Sequence, residues 1–494
     1  MSVGLVWAAV AIYVVIATGI AFLARGGAGH NPSSLADYFI WNRGMGGILA
    51  ALSYAATTYS AFMLVGLAGL AYAGGVGALG FEMVYFSGLI LVAFFGPRFL
   101  LVGKRFGYVT PSEMLGDRYG SRAVAIVVAL ASIVFLIPYS AVQLAGIGYL
   151  LAGATEGAIS FTVGTLIATA LALVFAFVAG IRSVAWTDAL QMVIMLVTAS
   201  IAVLLAVNYL GGFGELFGRV SAEHPGSLSV PGNGYFSFSV FLGLTLPWFF
   251  FSLTNPQVSQ RLFMLGTMKN LRRMLLGFLI LGFFYTLVAV LWGYAALVRF
   301  PDLESADLAS PALLASDLVP TVVAVIMIVG ILAAAISTID SILLTLSSMI
   351  ARDVYGNSPG GGDESRQLFV GKLVIPVIAI MALLFAGLRL DLIAVLAVSS
   401  SAGLLVTVPA IIGAFFWRRG TAAGVLTSVI VGGLLVAILE IFQTRPLGQG
   451  SGIWGLLVAV VLYVGVSFLT RTPERKADEF MGYLHDALKD RGAV

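Results

Sequence analysis

The chain has 494 residues, of which 60% are apolar and 10% are charged, and its formal net charge is +3. Soluble domains carry about 25% charged residues, so the composition excludes a soluble protein with an ordinary surface and indicates an all-α polytopic membrane protein. The chain has no cysteine, which excludes disulfides, thiolate catalysis and cysteine-based metal sites. The small net charge gives no indication of nucleic-acid binding.

Thirteen apolar stretches are long enough to cross a bilayer, which takes about 20 residues. In chain order they are 4–24, 46–74, 80–102, 122–152, 158–179, 184–207, 236–260, 274–299, 318–350, 370–388, 390–416, 420–442 and 453–470. The first stretch lacks a basic segment before it and a small-residue cleavage motif after it. We therefore expect a retained helix and not a cleaved signal peptide.

Basic residues predict the orientation of these spans. Of the 26 Lys and Arg residues, 22 lie in the segments that follow spans 1, 3, 5, 7, 9, 11 and 13 or at their ends. Cytoplasmic loops carry the excess of Lys and Arg. The sequence thus predicts a multi-pass protein of the cell membrane with its N-terminus outside and its C-terminus in the cytoplasm.

Spans 2–11 divide into two sets of five. Because five is odd, the second set must enter the membrane from the opposite face, which is the topology of an inverted repeat. The predicted organisation is a leading helix and cytoplasmic loop (1–45), a first repeat (46–207), an external loop (208–235), a second repeat (236–417), and two trailing helices with a cytoplasmic tail (418–494).

Transporters with inverted repeats bind substrate and ions near the midplane, where the first helix of each repeat is broken. Span 2, LAALSYAATTYSAFMLVGLAG, has small and hydroxyl residues at its middle, and span 7 contains Pro247 and Pro256. A proline removes a backbone donor and strains the preceding turn. Both spans are therefore predicted to break, although proline kinks without function are the alternative for span 7.

The ninth span contains the polar stretch AISTIDSILL, residues 335–344. On a helix, Ser337, Asp340 and Ser341 share one face, and Thr338 is one turn before Ser341. An Asp at the bilayer centre costs about 2.5–3.5 kcal/mol on insertion scales, so it indicates an ion or proton pathway. Hydroxyls and a carboxylate suit a small hard cation. The alternative for each hydroxyl is a bond back to its own helix.

Two further acids lie within predicted spans. Asp188 is about one turn into span 6, where the helix dipole and a Thr187 cap would be enough to explain it. Glu82 is near the outer end of span 3, where an exposed first-turn acid is the alternative to a functional role. Glu440, near the end of span 12, is interpreted as structural. No intramembrane Arg or Lys is expected to offer a partner for a substrate carboxylate, but backbone amides at the broken helices could do so.

Four motifs are similar to those of a known family. They are DYFIWNRGMGGILAALSYAATTYSAFMLVGLAG, GIRSVAWTDALQ, NPQVSQRLF and AAAISTIDSILLTLSSMIARDVY. Through them, residues of about 37–440 resemble the sodium:solute symporter family, which contains proline, pantothenate, monocarboxylate, sialic acid and sugar transporters. The resemblance implies a leading helix, a five-plus-five inverted repeat and trailing helices.

The resemblance also implies sodium ligands. These are the carbonyls of Ala56, Tyr59 and Ala334 and the hydroxyls of Ser337 and Thr338. Some members hold a further cation beside this one, which implies Asp188 with Ser341 as its partner here. A role for Asp340 in a second cation or proton site stays open.

For the substrate, the resemblance implies a smaller set of positions. Tyr139 and Trp248 match residues that line the site in proline-type members, with aromatic packing as the alternative. Gln143, one turn after Tyr139, could face the same cavity. Glu82 resembles an acid that contacts sugar in sugar-transporting members. Thr58 stands where proline-type members have an Asp, so the sequence does not settle the solute, although carboxylates or amino acids are favoured.

The predicted function is sodium-coupled symport of a small organic solute by alternating access, without a prosthetic group. Proton coupling through Asp340 and Asp188, or a sugar-type member of the family, are the alternatives within transport. A membrane-embedded enzyme is not expected, because the chain has neither an H-E-x-x-H motif nor paired G-x-G-D-type aspartates. A receptor built on a transporter body is not expected either, because receptors of that kind usually carry a signalling domain and the segment after residue 471 is too short for one. The sequence leaves the ion stoichiometry and the oligomeric state open.

Overall fold

A computed structural model describes residues 3–25, 34–389 and 393–490. These ranges are helical and contain no strand, only an isolated bridge between Met45 and Leu265. The predicted all-α class is confirmed. Within the described ranges, eleven helices are long and apolar enough to cross a membrane, and a bent pair that counts as one span makes twelve.

The α-helices of the described ranges are numbered in chain order. They are α1 (Val3–Arg25), α2 (Leu35–Ile40), α3 (Gly47–Thr58), α4 (Phe62–Gly74), α5 (Gly77–Phe106), α6 (Pro111–Arg118), α7 (Arg122–Ala154), α8 (Phe161–Tyr209), α9 (Phe213–Glu223), α10 (Phe238–Thr254), α11 (Pro256–Ser259), α12 (Met268–Arg299), α13 (Ala309–Ala315), α14 (Thr321–Met349), α15 (Glu364–Ala386), α16 (Ile393–Leu404), α17 (Val408–Phe416), α18 (Ala422–Ile441), α19 (Ser451–Leu469) and α20 (Glu474–Lys489).

The remaining predicted span, 158–179, corresponds to the first part of α8, where the apolar helix is Phe161–Phe177. α8 contains spans 5 and 6 and breaks at Gly180, whose φ is +55°. A Cβ at this position would lie 3.0 Å from the Tyr38 ring, so glycine suits both the backbone angle and the space. The predicted span 390–416 begins at three residues that lie outside the described ranges.

Both predicted breaks are present. α3 and α4 meet at an angle of 52°, because Tyr59 leaves the helical region with φ −93° and ψ 78°. α10 ends at Asn255, which is extended with φ −82° and ψ 109°, and Pro256 starts α11 at its first position. Proline suits that position because a first-turn N–H has no intrahelical partner.

α14 forms the centre of the bundle. Over the most apolar part of Thr321–Tyr355, 83% of the residues are buried inside the protein. The helix α14 packs on α8, α7, α3 and α15. A helix surrounded by other helices can carry polar side chains at membrane depth because they face protein and not lipid. The polar residues of α14 are therefore placed where neighbouring helices can meet them.

α20 was not among the predicted spans and lies against the ends of α5, α6 and α17. We call this side of the protein the tail face. Phe480 of α20 stacks on Phe106 with ring centroids 5.9 Å apart, and Lys476 pairs with Asp117 of α6 at 2.7 Å. An apolar stripe on a polar helix accounts for this docking, because it buries Phe480, Leu484 and similar residues.

Candidate functional site

A cradle of five oxygens forms where the end of α3 meets the middle of α14. Ser337 Oγ donates to the carbonyls of Ala56 at 3.1 Å and Ala334 at 2.8 Å. Thr338 Oγ1 is 3.3 Å from the Ala56 carbonyl, 3.2 Å from that of Thr57 and 3.2 Å from that of Ala334. All five residues are buried. We call this group the oxygen cradle.

The break after α3 explains why these carbonyls face α14. The Tyr59 N–H bonds to the Ala55 carbonyl and closes the last turn. The carbonyls at a helix end lack intrahelical donors, so those of Ala56 and Thr57 are free to accept from the two hydroxyls of α14. Because of the break, the carbonyls at the end of α3 can accept hydrogen bonds from another helix at membrane depth.

The predicted sodium ligands meet in this cradle with one exception and one addition. Ala56, Ala334, Ser337 and Thr338 all contribute an oxygen, whereas the Tyr59 carbonyl receives no hydrogen bond from Ser337 or Thr338 and stays a prediction. The Thr57 carbonyl is an addition, because only the three-dimensional meeting of α3 and α14 indicates it. Hydroxyl and carbonyl oxygens are the ligands that hard cations prefer, so the group fits a sodium ion.

A second polar cluster lies beside the cradle. Asp188 Oδ2 accepts from Ser53 Oγ at 2.7 Å and from Arg261 Nη2 at 3.2 Å. The same guanidinium nitrogen donates to Ser341 Oγ at 2.8 Å, and Ser341 is 3.0 Å from Thr57 Oγ1. We call these five residues the paired cluster. It links α3, α8, α14 and the short segment after α11.

Two sequence expectations about this cluster are wrong. Arg261 lies within the candidate span Phe238–Phe263 and is 1% exposed, so a cationic side chain does lie inside a span. It was missed because predicted span 7 ended one residue earlier, at 260. Thr187 does not cap a helix before Asp188, because it donates back to Ser183 and Val184 and the helix already begins at the Gly180 break.

Asp340 does not share the contacts of its neighbours on α14. The predicted common face divides: Ser337 meets α3, Ser341 meets Arg261, and Asp340 is buried with Oδ1 lacking a hydrogen-bond partner among the described residues. The expected partner of Asp340 Oδ1 is therefore absent among the described residues. The carboxylate takes no part in the oxygen cradle.

On the other side of the break, Glu82 and Trp248 meet. The Trp248 indole Nε1 donates to Glu82 Oε1 at 3.2 Å, and Glu82 Oε2 has no hydrogen-bond partner among the described residues. Glu82 is 1% exposed, so the alternative of an exposed first-turn acid is wrong. The physical reason is that α10 packs along α5 and its Trp248 contacts Glu82.

Aromatic rings surround this pair. The Trp248 ring centroid lies 5.0 Å from that of Phe62, 5.3 Å from that of Phe81 and 4.9 Å from that of Phe251. Tyr139 joins the group through Phe251, with centroids 5.9 Å apart. We call these rings with Glu82 the aromatic cluster. It brings together Glu82, Trp248 and Tyr139, three of the predicted substrate positions.

Several buried amides near the breaks lack hydrogen-bond partners among the described residues. Both amide atoms of Gln143 on α7, of Asn255 at the α10 break and of Gln257 in α11 are in this condition. Gln143 was predicted as a substrate residue, and Asn255 and Gln257 are in the quoted motif NPQVSQRLF but were not singled out. Thr58, also predicted, is buried at the last position of α3. Unpaired buried amides indicate groups held ready for a ligand or water.

Comparison with known proteins agrees with this architecture. The family model of the sodium:solute symporter family matches residues 38–432. A sodium/proline symporter of Staphylococcus aureus is 26% identical over 510 aligned residues, covering 98% of this chain and 96% of its own. A sodium/pantothenate symporter of Escherichia coli (strain K12) is 28% identical, covering 89% of this chain and 92% of its own.

A solved structure has the same fold. It is described as a substrate-bound outward-open state of a Na+-coupled sialic acid symporter with a novel Na+-site. The TM-score is 0.77 at 19% sequence identity, and the match covers 95% of this chain and 98% of the other. At this identity the likeness establishes the fold.

Proposed function

Because the chain belongs to the sodium:solute symporter family, we propose that it imports a small organic solute, of the carboxylate or amino acid class, by alternating access. The chain is a transporter and not an enzyme, and sodium is its coupling ion. Sodium and the solute would bind from outside. The helix bundle would then rock and open the cytoplasmic side, where sodium and the solute would leave.

The oxygen cradle is the observation that carries this proposal. It joins the broken end of α3 to α14 through Ser337 and Thr338, and these helices lie in different predicted repeats. A sodium ion bound there would hold the two repeats together in one conformation. If solute binding needs that conformation, each ligand raises the affinity for the other by the same factor.

Our proposal assigns one sodium ion to the cradle. A second cation at Asp188 and Ser341 would meet the Arg261 guanidinium, which bonds to both side chains. It could bind there only if Arg261 moved away, because two cations in a nearly dry site repel each other. We therefore infer that Asp188 and Ser341 serve sodium as a stage on its exit path and not as a second permanent site.

Proton coupling is a second candidate, and Asp340 is the observation that favours it. A buried carboxylate with an oxygen that lacks a hydrogen-bond partner among the described residues is costly as an anion in a nearly dry site. Under this alternative, Asp340 would exchange its proton with the cytoplasm and uptake would follow pH. The cradle would then be a purely structural contact between α3 and α14.

Thermal unfolding of the purified protein in detergent tests the proposal without knowledge of the solute. We expect sodium, but not potassium or rubidium at equal ionic strength, to raise the unfolding temperature in a saturable manner. Ser337→Ala should weaken the sodium response about tenfold, as expected for loss of about 1.4 kcal/mol of binding free energy.

Ser347→Ala is the matched control. Ser347 is a buried serine on the same helix, but it donates to the Gly371 carbonyl of α15 at 2.8 Å. It should keep the sodium response of the unmodified protein. Equal sodium midpoints for Ser337→Ala and the unmodified protein would contradict the cradle. No difference between the three cations would favour proton coupling.

The proposed orientation has its own test, which the absence of cysteine makes clean. Asp302 and Arg419 are both exposed and should lie on opposite sides of the membrane. We expect a membrane-impermeant maleimide to label Asp302→Cys in intact cells and Arg419→Cys only after lysis. The reverse pattern would place the N-terminus inside.

A further inference from the structure

We infer that the transported solute carries a positively charged nitrogen, which Glu82 and the rings of the aromatic cluster bind. The inference rests on the proposed transport function and names the class of solute. It favours amino acids, betaines and other organic ammonium compounds over sugars and over carboxylates that lack a charged nitrogen.

Glu82 is the first observation that carries this inference. It is buried on α5, and Oε1 accepts from the Trp248 indole while Oε2 has no hydrogen-bond partner within the described part of the chain. No Lys, Arg or His of the described residues forms an ion pair with it. An ionised Glu82 is then a buried charge without a counter-charge, and a protonated Glu82 has an O–H without an acceptor. In either protonation state, burying Glu82 has a free-energy cost that a bound ligand can remove.

An ammonium group removes that cost in a single step. It supplies the missing positive charge, and an N–H of a primary or secondary ammonium can donate to Oε2. Bonds between charged partners are about twice as strong as those between neutral ones. A hydroxyl of a sugar could donate to Oε2, but it would leave the carboxylate charge uncompensated inside the membrane.

The aromatic cluster is the second and independent observation. Phe62 lies on α4, Phe81 on α5, and Trp248 and Phe251 on α10, and their rings lie within 6.1 Å of one another where they are in contact. Ring faces attract organic cations, and Trp is the most effective of them. Rings supplied by three separate helices can enclose a cation when those helices rearrange.

The same rings argue against a second metal ion at Glu82. Hard cations require several oxygen ligands, whereas the neighbours of Glu82 include one indole N–H and carbon-rich rings. Among the described residues, no group of three His, Cys, Asp or Glu side chains is placed to hold a metal. A cation with a hydrocarbon surface fits this environment better than a bare metal ion does.

Matched pairs of compounds test the inference. Each pair has the same shape, but only one member has a charged nitrogen: L-proline and tetrahydrofuroate, glycine betaine and tert-butylacetate, and choline and its tert-butyl analogue. The protein amino acids, galactose and pantothenate complete the panel. With the purified protein in saturating sodium, the measured quantity is the rise in unfolding temperature against compound concentration.

We expect at least one compound with a charged nitrogen to stabilise the protein at a concentration at least tenfold below that of its uncharged partner. Glu82→Gln keeps an acceptor for the Trp248 N–H but loses the charge, so it should remove this preference. Glu440→Gln is the matched control, since Glu440 accepts from Ser451 near the end of α18 and lies outside the cluster.

Three results would overturn the inference: stabilisation by galactose or by uncharged members alone, equal responses within every pair, or no response to any compound with a charged nitrogen. Sodium-dependent stabilisation without added solute is recorded in the same experiment. If that response is present and the pairs fail, the solute class is wrong and sodium coupling stands. If sodium has no effect, the proposed function itself fails.

Discussion

Two buried carboxylates on opposite sides of the α3 break have contrasting surroundings. Asp188 is met by the guanidinium of Arg261 and the hydroxyl of Ser53, and its charge is compensated within the chain. Glu82 receives a single indole N–H, and no cation of the described residues pairs with it. Both are at most 1% exposed, so burial alone does not separate them.

The difference lies in what completes each site. The charge of Asp188 is balanced internally, so removing its partner should harm the protein before any ligand is considered. The charge of Glu82 is completed only by something that arrives from outside, so changing it should alter ligand choice more than folding. The predictions below test this division, beginning with the largest expected effect.

Removal of the internal counter-charge should have the largest effect. Arg261→Met leaves Asp188 buried without a cation, and such losses cost about 3–5 kcal/mol. We expect a marked fall in unfolding temperature in detergent. Combining it with Asp188→Asn should recover part of the loss. If Arg261→Met is as stable as Arg418→Met, which removes an exposed pair with Asp478, then the pair contributes nothing to stability.

The oxygen cradle should show the next largest effect, on sodium binding. Thr338→Val keeps the shape of the side chain but removes the hydroxyl that contacts three carbonyls. We expect sodium affinity to fall about tenfold, which corresponds to about 1.4 kcal/mol. At limiting sodium, solute affinity should fall with it by linkage. An unchanged sodium midpoint in calorimetric or thermal titration would contradict this role.

Asp340 should behave like Glu82 as regards stability, since its Oδ1 has no hydrogen-bond partner among the residues that the structure describes. Asp340→Asn should therefore lower stability by no more than about 1 kcal/mol, the centre of the range for single substitutions. Uptake into proteoliposomes should remain sodium-dependent. A loss of sodium dependence, or uptake that no longer responds to pH when the unmodified protein does, would instead assign proton coupling to Asp340.

The smallest effect is expected at the tail face. Lys476 and Asp117 form a pair at 2.7 Å, with side chains 35% and 32% exposed. The neighbouring carboxylate raises the pKa of Lys476, so its stabilisation is present at neutral pH and is lost as the pH rises through that raised pKa. Lys476→Met should cost less than about 1 kcal/mol. A loss as large as that of Arg261→Met would contradict the ranking.

Much of the fold could be predicted from the sequence, and the breaks were among the correct predictions. Span 2 has hydroxyl and small residues at its centre, and span 7 has a proline on either side of Trp248. These are local signals, because a proline or a run of small residues affects the backbone where it stands. α20 was not predicted as a span because its apolar stripe is too narrow for one.

The candidate sites divide in a similar manner. Ser337, Thr338 and Ala334 are neighbours on one helix, so one motif indicated all three. The contact of Arg261 with Asp188 joins residues 73 apart in the chain, and that of Trp248 with Glu82 joins residues 166 apart. Helical periodicity relates residues only a few positions apart, so it could not indicate contacts between residues so far apart in the chain. The pair of Arg261 and Asp188 was therefore missed.

The sequence by itself determined that the chain is a bundle of membrane-length helices and where those helices break. These features depend on apolar length, proline chemistry and helical periodicity, all of which act over a few residues. Only the tertiary structure decided which buried charge is neutralised inside the protein and which is not. That outcome depends on the packing of α5, α8, α10 and α14, because an ion pair forms only where separate helices bring opposite charges within a few ångströms.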